Sequence, residues 1–137
     1  MRGEILALLA AALWGIAPIL DRYALQEISV YPAIVIRAFG GFVAIFLLSL
    51  ALKSFEVTAS KAIILLVLSG AISGAFAMIL YFESLKSIGA SKAVAITAVY
   101  PMITALLSAI FLAEALSARV LVGIVLIVIG IILVSEV

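Results

Sequence analysis

The residues of this chain that could do chemistry are few, and most of them are polar islands in apolar sequence. Eight Lys or Arg and seven Asp or Glu are its whole charged complement, and there is no His and no Cys among 137 residues. Without a thiol or an imidazole the sequence offers no disulfide, no thiolate nucleophile, no imidazole base and no soft metal site. It shows no paired carboxylates, Ser/His set or phosphate-binding loop either, so neither an enzyme, nor a metal site, nor a bound cofactor is expected. Two charges fall inside long apolar runs, Arg37 and Glu83. Glu83 stands one turn from Lys86 and reads first as a local ion pair, with a proton-coupling carboxylate as the alternative. Arg37 reads either as a side chain snorkelling to lipid headgroups or as a binding group for an anionic part of a substrate. Asp21 and Arg22 read as an interfacial helix end, and Glu114 as a structural residue that holds the turn before Ser117.

A second candidate set is uncharged. A proline inside a helix removes one backbone hydrogen bond and frees a carbonyl, and the resulting bend can line a cavity. Pro18 and Pro101 are so placed, with Trp14 four residues before the first and Tyr100 beside the second. Phe76 and Tyr81 could join them, and Thr97 and Thr104 add hydroxyls one turn to either side of Pro101. Trp14, Pro18, Phe76, Tyr81, Thr97, Tyr100 and Pro101 therefore make a candidate aromatic pocket for a small molecule. The competing reading is that these aromatics fill ordinary core or sit at the membrane interface.

The elements that must position these groups are set by composition. With 69% hydrophobic and 11% charged residues, the chain lies far outside the soluble range. Helices are expected over about 4–20, 32–53, 62–83, 92–112 and 118–135, because crossing the hydrocarbon core takes about 20 apolar residues. A barrel is excluded, since runs such as 63–67 and 120–132 are apolar on every side instead of alternating. The expectation is an all-α, multi-pass protein of the cell membrane with one domain over 1–137 and lipid as its surroundings. The first span follows Arg2 but ends in charges with no small-residue cleavage site, so it reads as a retained helix and not as a signal peptide. Pro32 suits the first turn of the second span, and Ser60, Ser91 and Ser117 are candidate caps of the last three. A net charge of +1 and short joints leave no basic surface for nucleic acid.

Five spans place the two ends on opposite faces, yet the charges barely choose which. If the helices alternate, Arg2, Lys53, Lys61 and Arg119 stand on one side, against Arg22, Lys86 and Lys92, with Arg37 nearer the second group. The positive-inside bias is thus nearly nil, which leaves two readings: the N-terminus still faces inward, or both orientations are made.

Several short patterns stand in order along the chain: LWG over 13–15, Pro32, and Arg37 followed by Ala38 and Phe39, then YFESLKSIGAS over 81–91, AVYP over 98–101, FLAEALS over 111–117, Gly123 and Gly130. Together they resemble the repeat of EamA-type transporters, of the drug/metabolite transporter superfamily. The resemblance spans essentially the full length. It implies a fold built from two inverted five-helix repeats around a cavity, of which this chain supplies one. Two departures stand out: Ala113 precedes Glu114 where the family often has Gly, and Glu83 occupies a place usually uncharged. Small multidrug exporters of the same superfamily carry an acidic residue in their first helix, and none lies between Ile5 and Leu20 here.

A lone repeat needs a partner of opposite orientation, which a dual-topology antiparallel homodimer would supply. In lipid, helices associate through close contact of small residues. Gly70 and Gly74 with their flanking Ser and Ala, the series Ala105, Ala109 and Ala113, and the pair Gly123 and Gly130 are the expected packing faces, within one protomer or between two. The chain is thus expected to be a carrier of a small neutral or zwitterionic, amino-acid-like metabolite by alternating access. The alternative is a non-transporting membrane subunit that pairs with another membrane protein or a lipid-handling complex.

Overall fold

A computed structural model describes residues 2–54 and 60–135. Among these, five helical spans are long and apolar enough to cross a membrane: Arg2–Glu27, Val30–Ala51, Lys61–Ile88, Ala90–Phe111 and Ala118–Ser135. The protein is an all-α, multi-pass membrane protein. Its contacts divide it into two compact units, Met1–Ser87 and Ile88–Val137.

The first unit opens with α1 (Arg2–Glu27) and α2 (Val30–Ala51), joined by two residues. The expected end of the first span at residue 20 is overtaken by a further two turns. Asp21 and Arg22 are not an interfacial helix end but lie within α1, because both find partners on neighbouring helices. Where α2 ends, Lys53 takes φ 50°, its N–H donates to the Leu50 carbonyl at 3.1 Å, and the Ser54 N–H donates to Ser49 at 3.0 Å. This is a Schellman closure, with Lys where Gly is usual.

The third span is not one regular helix. It comprises α3 (Ser60–Ser69), a π-helical stretch over Gly70–Phe76, and α4 (Ala77–Ile88). The π stretch coincides with the small-residue sequence GAISGAF, and the Ser73 hydroxyl donates to the Ser69 carbonyl at 2.8 Å. In lipid a carbonyl displaced from the α ladder needs a local donor, and this hydroxyl serves one at the α-to-π junction. The expected cap at Ser60 depends on a side chain outside the described residues. Among the described residues, the buried aliphatic and aromatic side chains of this unit are Leu25 near the end of α1, Val30, Ala33 and Ile34 at the start of α2, and Phe82 and Leu85 late in α4. All mark the end of the unit where α1 turns into α2, while Ile5, Leu9, Leu47, Leu65 and Leu66 toward the other end are exposed. The unit is closed at one end and open at the other.

In the second unit the fourth span is split. Gly89, at φ 82°, separates α4 from α5 (Ala90–Thr97), so Gly89 and not Ser91 precedes the helix. Helix α5 stops before Ala98 and Val99, and α6 (Tyr100–Phe111) begins with Pro101 in its first turn. Pro101 has no N–H to return to the Thr97 carbonyl, and the interruption lies between those two residues. The fifth span, α7 (Ala118–Ser135), begins as expected, with the Val120 N–H donating to the Ser117 hydroxyl at 3.3 Å.

Between α6 and α7, Ala113 is held at φ 53°. That conformation costs a Cβ-bearing residue about 1–2 kcal/mol and glycine almost nothing. Ala113→Gly is therefore expected to stabilise the protein by about 0.5–1 kcal/mol, after the larger backbone entropy of glycine in the unfolded chain is subtracted. Thermal unfolding in detergent checks this against Ala115→Gly, where no positive φ is relieved and no gain is expected.

Candidate functional site

The polar groups of the first unit meet at its closed end. Asp21 is eight residues before Ser29 and Arg37 eight after it, so a tight helical hairpin brings both to one depth, about 12 Å from the turn at 1.5 Å per residue. There the Arg37 Nε faces Asp21 Oδ1 at 3.4 Å, with 13% of the Asp21 side chain and 40% of the Arg37 side chain exposed. The other Asp21 oxygen, Oδ2, is buried without a hydrogen-bond partner.

Helix α4 supplies the rest of the cluster. Arg37 Nη1 lies 3.6 Å from Met78 Sδ, and its guanidinium carbon stands 5.9 Å from the centre of the buried Phe82 ring. A cation near an aromatic face gains from the ring quadrupole, and the gain rises when water is excluded. Tyr81, half-buried, is within electrostatic reach of both Asp21 and Arg37. Beside this cluster, Arg22 Nη1 donates to the Lys86 carbonyl at 2.9 Å, serving one of the carbonyls that end α4. The cluster thus ties all three spans of the unit together by charge and ring contacts at one level.

Of the residues expected to form a site, Arg37 and Tyr81 are brought together here, and Arg37 faces a carboxylate instead of reaching for headgroups. Glu83 is exposed, and among the described residues no ion pair joins it to Lys86, contrary to the first reading of that pair. Pro18 is buried within an unbroken α1. Trp14 and Phe76 are exposed, at 66% and 68%, and no contact among the described residues ties them to the cluster. In the second unit Tyr100 is exposed, Pro101 is half-buried at the start of α6, and the Thr97 hydroxyl donates back to the Val94 carbonyl at 2.9 Å. A Cβ placed at Gly70, Gly74, Gly123 or Gly130 would meet nothing within 4 Å. Among the described residues, then, no neighbour from its own unit covers any of these four glycines.

Three residues of the cluster escape the reading from sequence, Asp21, Met78 and Phe82. The signal for Asp21 was present, since it and Arg37 are equidistant from the turn at Ser29. Reading the first span as ending at residue 20 hid it. Among the described residues no group of His, Cys, Asp or Glu is arranged to hold a metal ion.

The comparisons with known proteins agree with this architecture. An uncharacterized protein of Methanocaldococcus jannaschii is 31% identical over 131 residues, which is 96% of this chain and 94% of that protein. No solved structure matches the chain. Residues 1–136 match the profile of the EamA-like transporter family, and this chain of five membrane spans belongs to that family.

Proposed function

We propose that the protein is a carrier for a small neutral or zwitterionic, amino-acid-like metabolite, working by alternating access as an antiparallel homodimer. Membership of a transporter family over residues 1–136 supports transport as the general activity. The observation that supports the dimer is that, among the described residues, no neighbour from its own unit fills the space beside Gly70, Gly74, Gly123 or Gly130. Such faces let helix backbones approach closely in lipid, and a second copy would give them a partner. The balance of Lys and Arg between the two sides supplies the route to that copy, because an inverted pair needs both orientations.

The test is labelling from both sides of intact cells, with single cysteines placed at Ser29, Ser54, Gly89 and Ser117. No native cysteine competes. Comparable labelling of every position from each side is expected. Strictly one-sided labelling would sink the inverted homodimer and favour a non-transporting subunit with a separate partner.

A further inference from the structure

We propose that Arg37 and Asp21 form a carboxylate-binding site coupled to one proton: the carboxylate of an α-amino acid takes Arg37 away from Asp21, and Asp21 then binds a proton. This rests on the carrier reading above and names its ligand and its coupling.

Arg37 is equipped to change partners. A guanidinium has five N–H donors in a fixed fork that fits a carboxylate through two parallel bonds. Here one nitrogen faces Asp21 at 3.4 Å and another faces a thioether, a weak acceptor, at 3.6 Å. Neither contact uses the fork in its paired geometry. The side chain is 40% exposed, so a carboxylate can approach it.

Asp21 is equipped to respond. Its Oδ2 is buried and unpartnered, and a buried acceptor left without a donor is unfavourable. A substrate cation cannot reach an oxygen already closed off, whereas a proton needs no room. Once Arg37 has turned to a substrate, no second cation replaces it. From α1, the Arg22 guanidinium is engaged with the Lys86 carbonyl. On α4, the Tyr81 phenol is within electrostatic reach of Asp21, while Glu83 and Lys86 are exposed and, among the described residues, form no ion pair with it. A carboxylate deprived of the one counter-charge it has among the described residues neutralises in such a place.

Charge is conserved at each stage. Empty, the site holds Asp21 carboxylate and Arg37 guanidinium, with no net charge. Loaded, it holds Asp21 carboxylic acid, Arg37 guanidinium and both the carboxylate and the ammonium of the substrate, so it carries the one positive charge that the proton brought. The proton comes from the aqueous side from which the substrate enters, and leaves with it. A zwitterionic amino acid would thereby cross with one positive charge per cycle.

The experiment is infrared difference spectroscopy on the purified full-length protein in lipid, adding glycine, L-alanine or L-serine, and glycinamide as the probe that lacks a carboxylate. A protonated carboxylic-acid band is expected with at least one amino acid and none with glycinamide. The band should vanish in Asp21→Asn and persist in Glu83→Gln. Absence of the band with all three amino acids, or its appearance with glycinamide, overturns the proposal from the wild-type protein alone, whether or not Asp21→Asn folds. In vesicles, one pH unit, acid outside, should drive accumulation up to about tenfold. Uptake without the infrared band refutes the coupled site and leaves the carrier standing. The band without uptake supports the site and refutes the carrier.

Discussion

Arg37→Met is expected to lower the stability of the protein by about 1–2 kcal/mol, while the double variant Asp21→Asn/Arg37→Met recovers most of that loss. Removing one partner of a fully buried ion pair typically costs about 3–5 kcal/mol, whereas an exposed pair contributes about 0–1 kcal/mol. Asp21 is largely enclosed but Arg37 is 40% exposed, so the loss lies between those ranges. Methionine preserves much of the length and apolar surface of the arginine stem, so the loss reports the charge and not a cavity. The double variant removes both charges and leaves only an amide to be satisfied. Thermal or denaturant unfolding in detergent measures the cycle. A single variant no less stable than the double would show that Asp21 does not depend on Arg37, and would leave the closed end of the first unit held by its apolar residues alone.

Trp14→Ala is expected to reduce uptake to the level of empty vesicles while the protein still assembles, and Tyr100→Ala to do the same. Both side chains are exposed in the protomer, at 66% and 57%, so their truncation removes little internal packing. Each is a large, flat surface with one polar atom, suited to a ligand that is partly apolar and partly charged. Each also lies near a carbonyl that proline leaves free: Pro18 cannot donate to Trp14, and Pro101 cannot donate to Thr97. Uptake of labelled amino acids into vesicles checks the loss, with chromatographic size as the measure of assembly. Loss of assembly together with uptake would assign the two rings to the interface between protomers instead.

The membrane class and the five spans were legible in the sequence because hydropathy and length depend only on composition along the chain. The interruption before Pro101 and the cap at Ser117 were legible for a local reason, since each depends on one residue's own chemistry. The unusual place of Ala113 was visible as a departure from the family pattern, and its positive φ supplies the physical cause. What stayed hidden depends on partners distant in sequence. The continuation of α1 past Asp21 and Arg22 could not be read from a window of local hydropathy, because those charges are made tolerable by Arg37 and by the Lys86 carbonyl. The pairing expected of Glu83 with Lys86 was local and plausible on a helix, but the end of α4 is tied to Arg22 instead.

The π stretch at Gly70–Phe76 has a consequence for the phase of the span that contains it. A π segment closes its hydrogen bonds one residue further along than an α-helix, so it holds a surplus residue relative to α register. Each residue of an α-helix turns the chain by about 100°. The halves before and after Gly70–Phe76 therefore do not share one helical wheel, and an apolar stripe traced from Ile63 would not predict which face carries Met78 and Phe82. In effect the third span is two rods out of phase with each other: the later rod is held by the charges of α1 and α2, and its facing does not fix that of the earlier one.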